Sequence, residues 1–88
     1  MSVENKISEL FSLKNKVAVV TGAIGLLGKN HCHALAEASA HVIVADLDKN
    51  ECEKFASSLS GNASGFEVDI TNKKSIIDLK EKIINKFG

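Results

Sequence analysis

Apolar residues along the chain fall into two alternating patterns. Val17 to Val20 (VAVV) and His41 to Ala45 (HVIVA) are short, continuous and rich in β-branched residues, as in strands buried on both faces of a parallel sheet. Phe66 to Ile70 (FEVDI) reads as a third strand. Between the first two, Leu27, His31, Ala34, Leu35 and Ala38 recur at helical spacing through Ser39, a shallow stripe suited to sitting close to a sheet. Cys52, Phe55, Ala56 and Leu59 then follow at i, i+3, i+4 and i+7, a helix that Asp48 caps with Glu51 reaching back, and that Gly61 closes. After the third strand, Thr71 is the expected N-cap of a helix carrying Ile76, Leu79, Ile83 and Phe87 on one stripe. Ahead of everything, Val3, Ile7, Leu10 and Phe11 suggest a short amphipathic lead-in helix.

The order β-α-β-α-β-α predicts an α/β fold with right-handed parallel crossovers: a Rossmann-type doubly wound sheet, truncated to a βαβαβα segment. Residues 1–15 form the lead-in and residues 16–88 the N-terminal half of a nucleotide-binding domain. Composition narrows the choice of partner. Eleven basic against eleven acidic residues leave a formal net charge of zero, so no long-range field draws the chain to nucleic acid or to an anionic membrane. No apolar run approaches the roughly 20 residues that span a bilayer, and the first residues lack the pattern of a signal peptide, so a cytoplasmic location is expected. Cys32 and Cys52 are too far apart for a CxxC motif and read as buried free thiols. The stretch His31-Cys32-His33 lacks the i,i+4 spacing that lets two helix residues share a metal, so no metal site is assigned.

The chemistry concentrates between the first strand and the first helix, where Thr21 to Asn30 reads TGAIGLLGKN. A strand-to-helix turn exposes the first N–H groups of the helix, and the helix dipole adds partial positive charge there, so the position attracts phosphate. Gly22 allows the tight bend, Gly25 lets a pyrophosphate approach the backbone, and Gly28 lets the helix pack on the strand. A glycine-rich turn without a ligand is the plain structural alternative. A P-loop fails on spacing, because Ala23 stands where its first glycine should be and Asn30 replaces the metal-holding hydroxyl.

Asp46 lies 24 positions after Gly22, near the roughly 20 at which a dinucleotide fold places an acid on the adenosine ribose. Its charge would repel a 2′-phosphate, and all eleven basic residues are Lys, leaving no Arg to clamp one. NAD is therefore favoured over NADP, with Lys49 the one nearby cation that could soften the preference.

Together NKVAVVTG, HVIVADLD and FEVDIT resemble the N-terminal half of the short-chain dehydrogenase/reductase family. The resemblance implies a cofactor site formed by Thr21, Gly22, Gly25, Leu26, Leu27, Gly28, Asp46 and Leu47, with Asp69 and the backbone of Ile70 at the adenine. It implies hydride transfer between a nicotinamide and a small alcohol or carbonyl substrate, and it is compatible with a homo-oligomer. Thr21 to Gly28 reads TGxxGxxG, the spacing of the extended sugar-nucleotide epimerase/dehydratase type, where the shorter type usually has TGxxxGxG. The family's catalytic Tyr-x-x-x-Lys pair and Ser would follow position 88, and the chain contains no Tyr, so no catalytic residue is assigned within it. A non-catalytic nucleotide-binding module and a methyltransferase are the rival classes, and the TG turn leans against the second.

Overall fold

The computed structural model describes residues 12–88, so the expected lead-in helix lies outside the described residues. Three parallel strands alternate with three helices: β1 (Val17–Thr21), α1 (Leu26–Glu37), β2 (His41–Asp46), α2 (Lys49–Ser58), β3 (Ala63–Glu67) and α3 (Lys73–Phe87). The sheet order is β1-β2-β3. Thr21 lies beside Ala45, and Asp46 beside Glu67, so all three strands end at one edge of the sheet. This is the expected Rossmann-type βαβαβα segment.

Strand β2 explains the layering. It is central, and Val42 to Ala45 are fully buried. Side chains alternate between faces along a strand, and Val42 and Val44 pack with Val20, Cys32 and Ala36, and with Cys52, Ala56 and Leu59. Helices α1 and α2 thus share one face. Ala45 points the other way, into a smaller cluster with Val68 and Leu79 that Phe66 and Ile83 flank. Helix α3 covers that second face, and Leu79 is its one buried residue.

Several expectations need correction. The third strand runs from Ala63 to Glu67 rather than from Phe66 to Ile70. Its first half is small because α2 crosses so close that a Cβ on Gly65 would lie 2.4 Å from the Glu53 amide nitrogen. The N-cap of α3 is Asn72, whose side chain accepts from Lys74 and Ser75 N–H, while Thr71 turns back to Asp69. Helix α1 ends at Glu37, with Ala38 as C-cap and Ser39 at φ 74°, and it buries Gly28, Cys32 and Ala36. Leu27, His31 and Ala34 of the expected stripe are exposed instead.

Their surroundings supply the reason. His31, Ala34 and Leu35 line a groove of about 580 Å³ with Val19, Val20 and Thr21 of β1, which among the described residues has a strand neighbour on one side only. The stripe faces the open flank of the sheet. There Val17 and Val19 stay 41% and 45% exposed, so β1 is not the strand buried on both faces that VAVV predicts. At the opposite end of β2, His41 Nε2 lies 3.0 Å from Ser64 Oγ, and its ring meets Phe87 at 4.4 Å. Among the described residues no helix is long and apolar enough to cross a membrane.

Candidate nucleotide site

The turn from β1 into α1 is built by contacts that leave little room for side chains. Gly22 has φ +65°, a left-handed conformation that a side chain resists. A Cβ on Gly28 would stand 2.2 Å from the Gly22 carbonyl oxygen and 2.7 Å from Ala23 Cα, so the first turn of α1 rests directly on the backbone. Gly25 is different. It has extended angles, φ −68° and ψ 165°, and a Cβ there would be 3.4 Å from its nearest neighbour, the Gly22 oxygen. The fold tolerates a side chain at Gly25 and excludes one at Gly28.

Gly25 is also the N-cap of α1, and it has no side chain to cap with. The other two helices are capped by side-chain oxygens, Asp48 accepting from Glu51 N–H at 3.1 Å and Asn72 accepting from Lys74 N–H at 3.0 Å. In α1 the N–H groups of Leu26 and Leu27 have no intrahelical acceptor, and the first turn carries no acid to offset the dipole. Both leucines are largely exposed, at 80% and 72%. What remains is an outward-facing set of donors beside a glycine, a cradle whose chemistry fits an anionic oxygen.

Asp46, the last residue of β2, ties this turn to the neighbouring strand. One carboxylate oxygen accepts from Ile24 N–H at 3.0 Å, the other from Leu47 N–H at 2.7 Å. Ala23 N–H donates to the Ala45 carbonyl at 3.2 Å, so two successive turn amides are anchored on the end of β2. The carboxylate is thereby oriented, and each oxygen keeps a lone pair for a further donor. Leu47 lies exposed beside it. The Asp46 carbonyl accepts from Val68 N–H at 2.8 Å, which brings the segment after β3 alongside.

Asp69 and Ile70 stand in that segment. Thr71 donates to Asp69 Oδ1 twice, from its hydroxyl at 2.6 Å and its amide at 3.0 Å. Those bonds favour the charged form, the hydroxyl most, and hold the Asp69 carboxyl below the usual carboxylate range. Ile70 is exposed. Beneath the site Cys52 is fully buried. Burial first, and the charge of Asp46 second, push its thiol up to about 11.

All ten residues expected at the site lie at or just beyond the C-terminal ends of β1, β2 and β3. Bonds join Asp46 to the glycine turn and to the segment carrying Asp69. Sequence reasoning missed Ile24, whose amide makes the first of those links, because a backbone donor leaves no trace in residue type. It also missed Ser75, which accepts from Asp69 N–H at 2.9 Å. An Asn-x-x-Ser spacing across a helix start was the available signal.

The chain belongs to the short chain dehydrogenase family, whose model matches residues 16–88. Over 75 residues it is 33% identical to fluoren-9-ol dehydrogenase of Terrabacter sp. (strain DBF63), covering 83% of this chain and 21% of that protein. An oxidoreductase from Haemophilus influenza solved with NAD bound superposes with a TM-score of 0.83 at 26% identity, over 93% of this chain and 30% of that one. Pseudomonas aeruginosa RhlG, solved in an active-site complex with NADP, gives 0.75 at 27% identity, over 81% and 29%. The chain spans between a fifth and a third of the length of these relatives.

Proposed function

We propose that the chain binds the adenosine diphosphate half of a nicotinamide dinucleotide, NAD in preference to NADP, as the cofactor site of an oxidoreductase acting on an alcohol or carbonyl substrate. The observation that carries this reading is the uncapped start of α1, set on a glycine turn whose amide Ile24 is bonded to Asp46. In this assignment the pyrophosphate takes the N–H groups of Leu26 and Leu27, with Gly25 leaving room for it. Thr21 and Gly22 shape the turn, and Gly28 seats the helix. Asp46 accepts from the ribose hydroxyls with Leu47 beside it, while Asp69 and Ile70 flank the adenine. When bound, the nicotinamide supplies the hydride donor or acceptor.

Relatives of this fold carry both NAD and NADP, so the preference rests on charge. A 2′-phosphate would meet the oriented Asp46 carboxylate with no Arg in the chain to offset it. Lys49, the nearby cation, leans toward Glu53 at 4.0 Å.

Calorimetric titration of the 88-residue chain with NAD and NADP tests the reading. NAD should bind more tightly, and Asp46→Ala should weaken NAD roughly 10-fold to 100-fold, the loss expected for hydrogen bonds to a charged group, while narrowing the gap to NADP. Equal affinity for both cofactors in the parent, or an Asp46→Ala variant that binds NAD as the parent does, would overturn it.

A further inference from the structure

Between β3 and α3 the chain is held by a closed set of bonds centred on Asp69. Its amide donates to Ser75 Oγ at 2.9 Å, and its carboxylate accepts from Thr71. Its carbonyl accepts from Asn72 N–H at 3.0 Å. Asn72 Oδ1 in turn accepts from Lys74 N–H and from Ser75 N–H, at 3.0 and 3.3 Å. Of these contacts, only the Ser75 bond fixes the Asp69 amide, and it reaches across six residues, from the third residue of α3. Every other bond in the set spans three residues or fewer.

Side-chain packing anchors Val68, just before Asp69, against Ala45 and Leu79, but does not reach the residues that follow it. Helix α3 buries Leu79 alone, more than one turn beyond Ser75, and Ile70 is exposed. Ser75 itself is half-buried while Lys74 and Ile76 on either side are exposed, so its hydroxyl is turned inward to the segment. Without that oxygen the Asp69 amide, a partly buried donor, has no other acceptor among the described residues. The peptide would turn to find one.

We propose that Ser75 is a positioning residue of the nucleotide site: by accepting from the Asp69 amide it sets the backbone of Asp69 and Ile70, on which adenine recognition depends. The inference rests on the assignment of Asp69 and Ile70 to the adenine given above. It separates two duties within one turn. Asn72 secures the helix, and Ser75 secures the residue that the helix carries toward the ligand.

The 88-residue chain and its Ser75→Ala, Ser75→Thr and Asn72→Ala variants provide the test, with NAD as the probe. Affinity is read by calorimetry, amide hydrogen exchange at Asp69 by NMR, and helix stability by thermal unfolding. Ser75→Ala should weaken NAD binding about 3-fold to 10-fold, the range expected for one neutral hydrogen bond, and should speed exchange at the Asp69 amide. Ser75→Thr keeps the hydroxyl and should restore both. Asn72→Ala removes the cap but leaves the Ser75 bond, so it should lower the unfolding temperature with a smaller effect on NAD. Unchanged NAD affinity in a folded Ser75→Ala variant would overturn the inference while leaving the site assignment standing. So would an Asn72→Ala variant that loses as much affinity as Ser75→Ala, since binding would then follow helix stability alone. A parent chain that does not bind NAD would remove the site assignment itself, and this inference with it.

Discussion

Replacing Gly28 with Ala sets two effects of opposite sign against each other, and the geometry decides between them. Alanine is the better helix former, by about 1 kcal/mol at an interior position. Its methyl group, however, would sit 2.2 Å from the Gly22 carbonyl oxygen, 2.7 Å from Ala23 Cα and 3.0 Å from Ala23 carbonyl carbon. Every one of those atoms is backbone, so no side-chain rotation relieves the overlap. Helix α1 must move about 1 Å away from the turn, and forced overpacking of this kind costs about 1–3 kcal/mol or more. The clash is deep enough to place the cost at the upper end, for a net destabilisation of about 2 kcal/mol. In a domain of this size that lowers the unfolding temperature by roughly 10 °C.

Gly25→Ala is the matched control. Its methyl meets only the Gly22 oxygen at 3.4 Å, in extended backbone that any residue adopts. Stability should change by no more than about 1 kcal/mol, the scale of an N-cap substitution. NAD affinity should nonetheless fall about tenfold, because the methyl fills the approach to the Leu26 and Leu27 amides. Thermal unfolding with NAD titration separates the two. A Gly28→Ala variant as stable as the parent would show that the helix does not rest on the turn. A Gly25→Ala variant that binds NAD normally would show that no phosphate is seated there.

Three further outcomes follow from the same geometry. The bonds from Thr71 hold the Asp69 pKa below its unfolded value near 3.9, so their stabilisation is present above that pH and is lost as pH falls through the folded pKa. Thr71→Val should raise the Asp69 pKa in an NMR carboxyl titration, and an unmoved titration would refute the link. Cys32 and Cys52 are fully buried, with the Cys52 thiol pushed up to about 11, so at pH 8 a thiol reagent should label them only as fast as the fold opens. Immediate labelling of the native chain would contradict the packing. Finally, among the described residues β1 pairs on one side only and its other edge is apolar, so the 88-residue chain should self-associate in sedimentation and Val19→Lys should reduce that association. A monodisperse parent with a sharp thermal transition would show the edge to be harmless.

What could be read from the chain in advance was whatever local chemistry dictates. HVIVA declares a buried strand because β2 is covered on both faces, VAVV declares a strand but not that only Val20 of it is buried, and TGAIGLLG declares its turn because backbone contact and a left-handed φ demand glycine at two of its positions. The start of β3 was illegible for the opposite reason. Ala63, Ser64 and Gly65 look like a loop, yet they are a strand made small by the passage of α2, a fact that belongs to tertiary approach. Thr71 is the expected cap, but Asp69 is near enough to occupy its hydroxyl, and the neighbouring Asn72 caps the helix instead. The stripe on α1 reported which residues are apolar. It could not report that part of this face lines an open groove beside β1.

The distribution of helix caps argues that the first turn of α1 is shaped by something other than the stability of the isolated chain. Asp48 and Asn72 each satisfy amides that would otherwise lack partners, a contribution of about 1 kcal/mol per helix. At α1 the corresponding position is Gly25, where a Cβ would meet nothing closer than the Gly22 oxygen at 3.4 Å. A capping side chain there would bond the amides of Leu27 or Gly28, as Asn72 bonds those of Lys74 and Ser75, and would occupy the space in front of the helix start where an anion would sit. Under the proposed assignment, leaving the cap out exchanges stability of the empty chain for affinity. A ligand that binds only the folded state returns the difference by mass action, about 2.7 kcal/mol at a concentration one hundred times its dissociation constant. In so small a domain that exceeds the missing cap, and it makes occupancy of the glycine turn and folding of the segment two readings of one equilibrium.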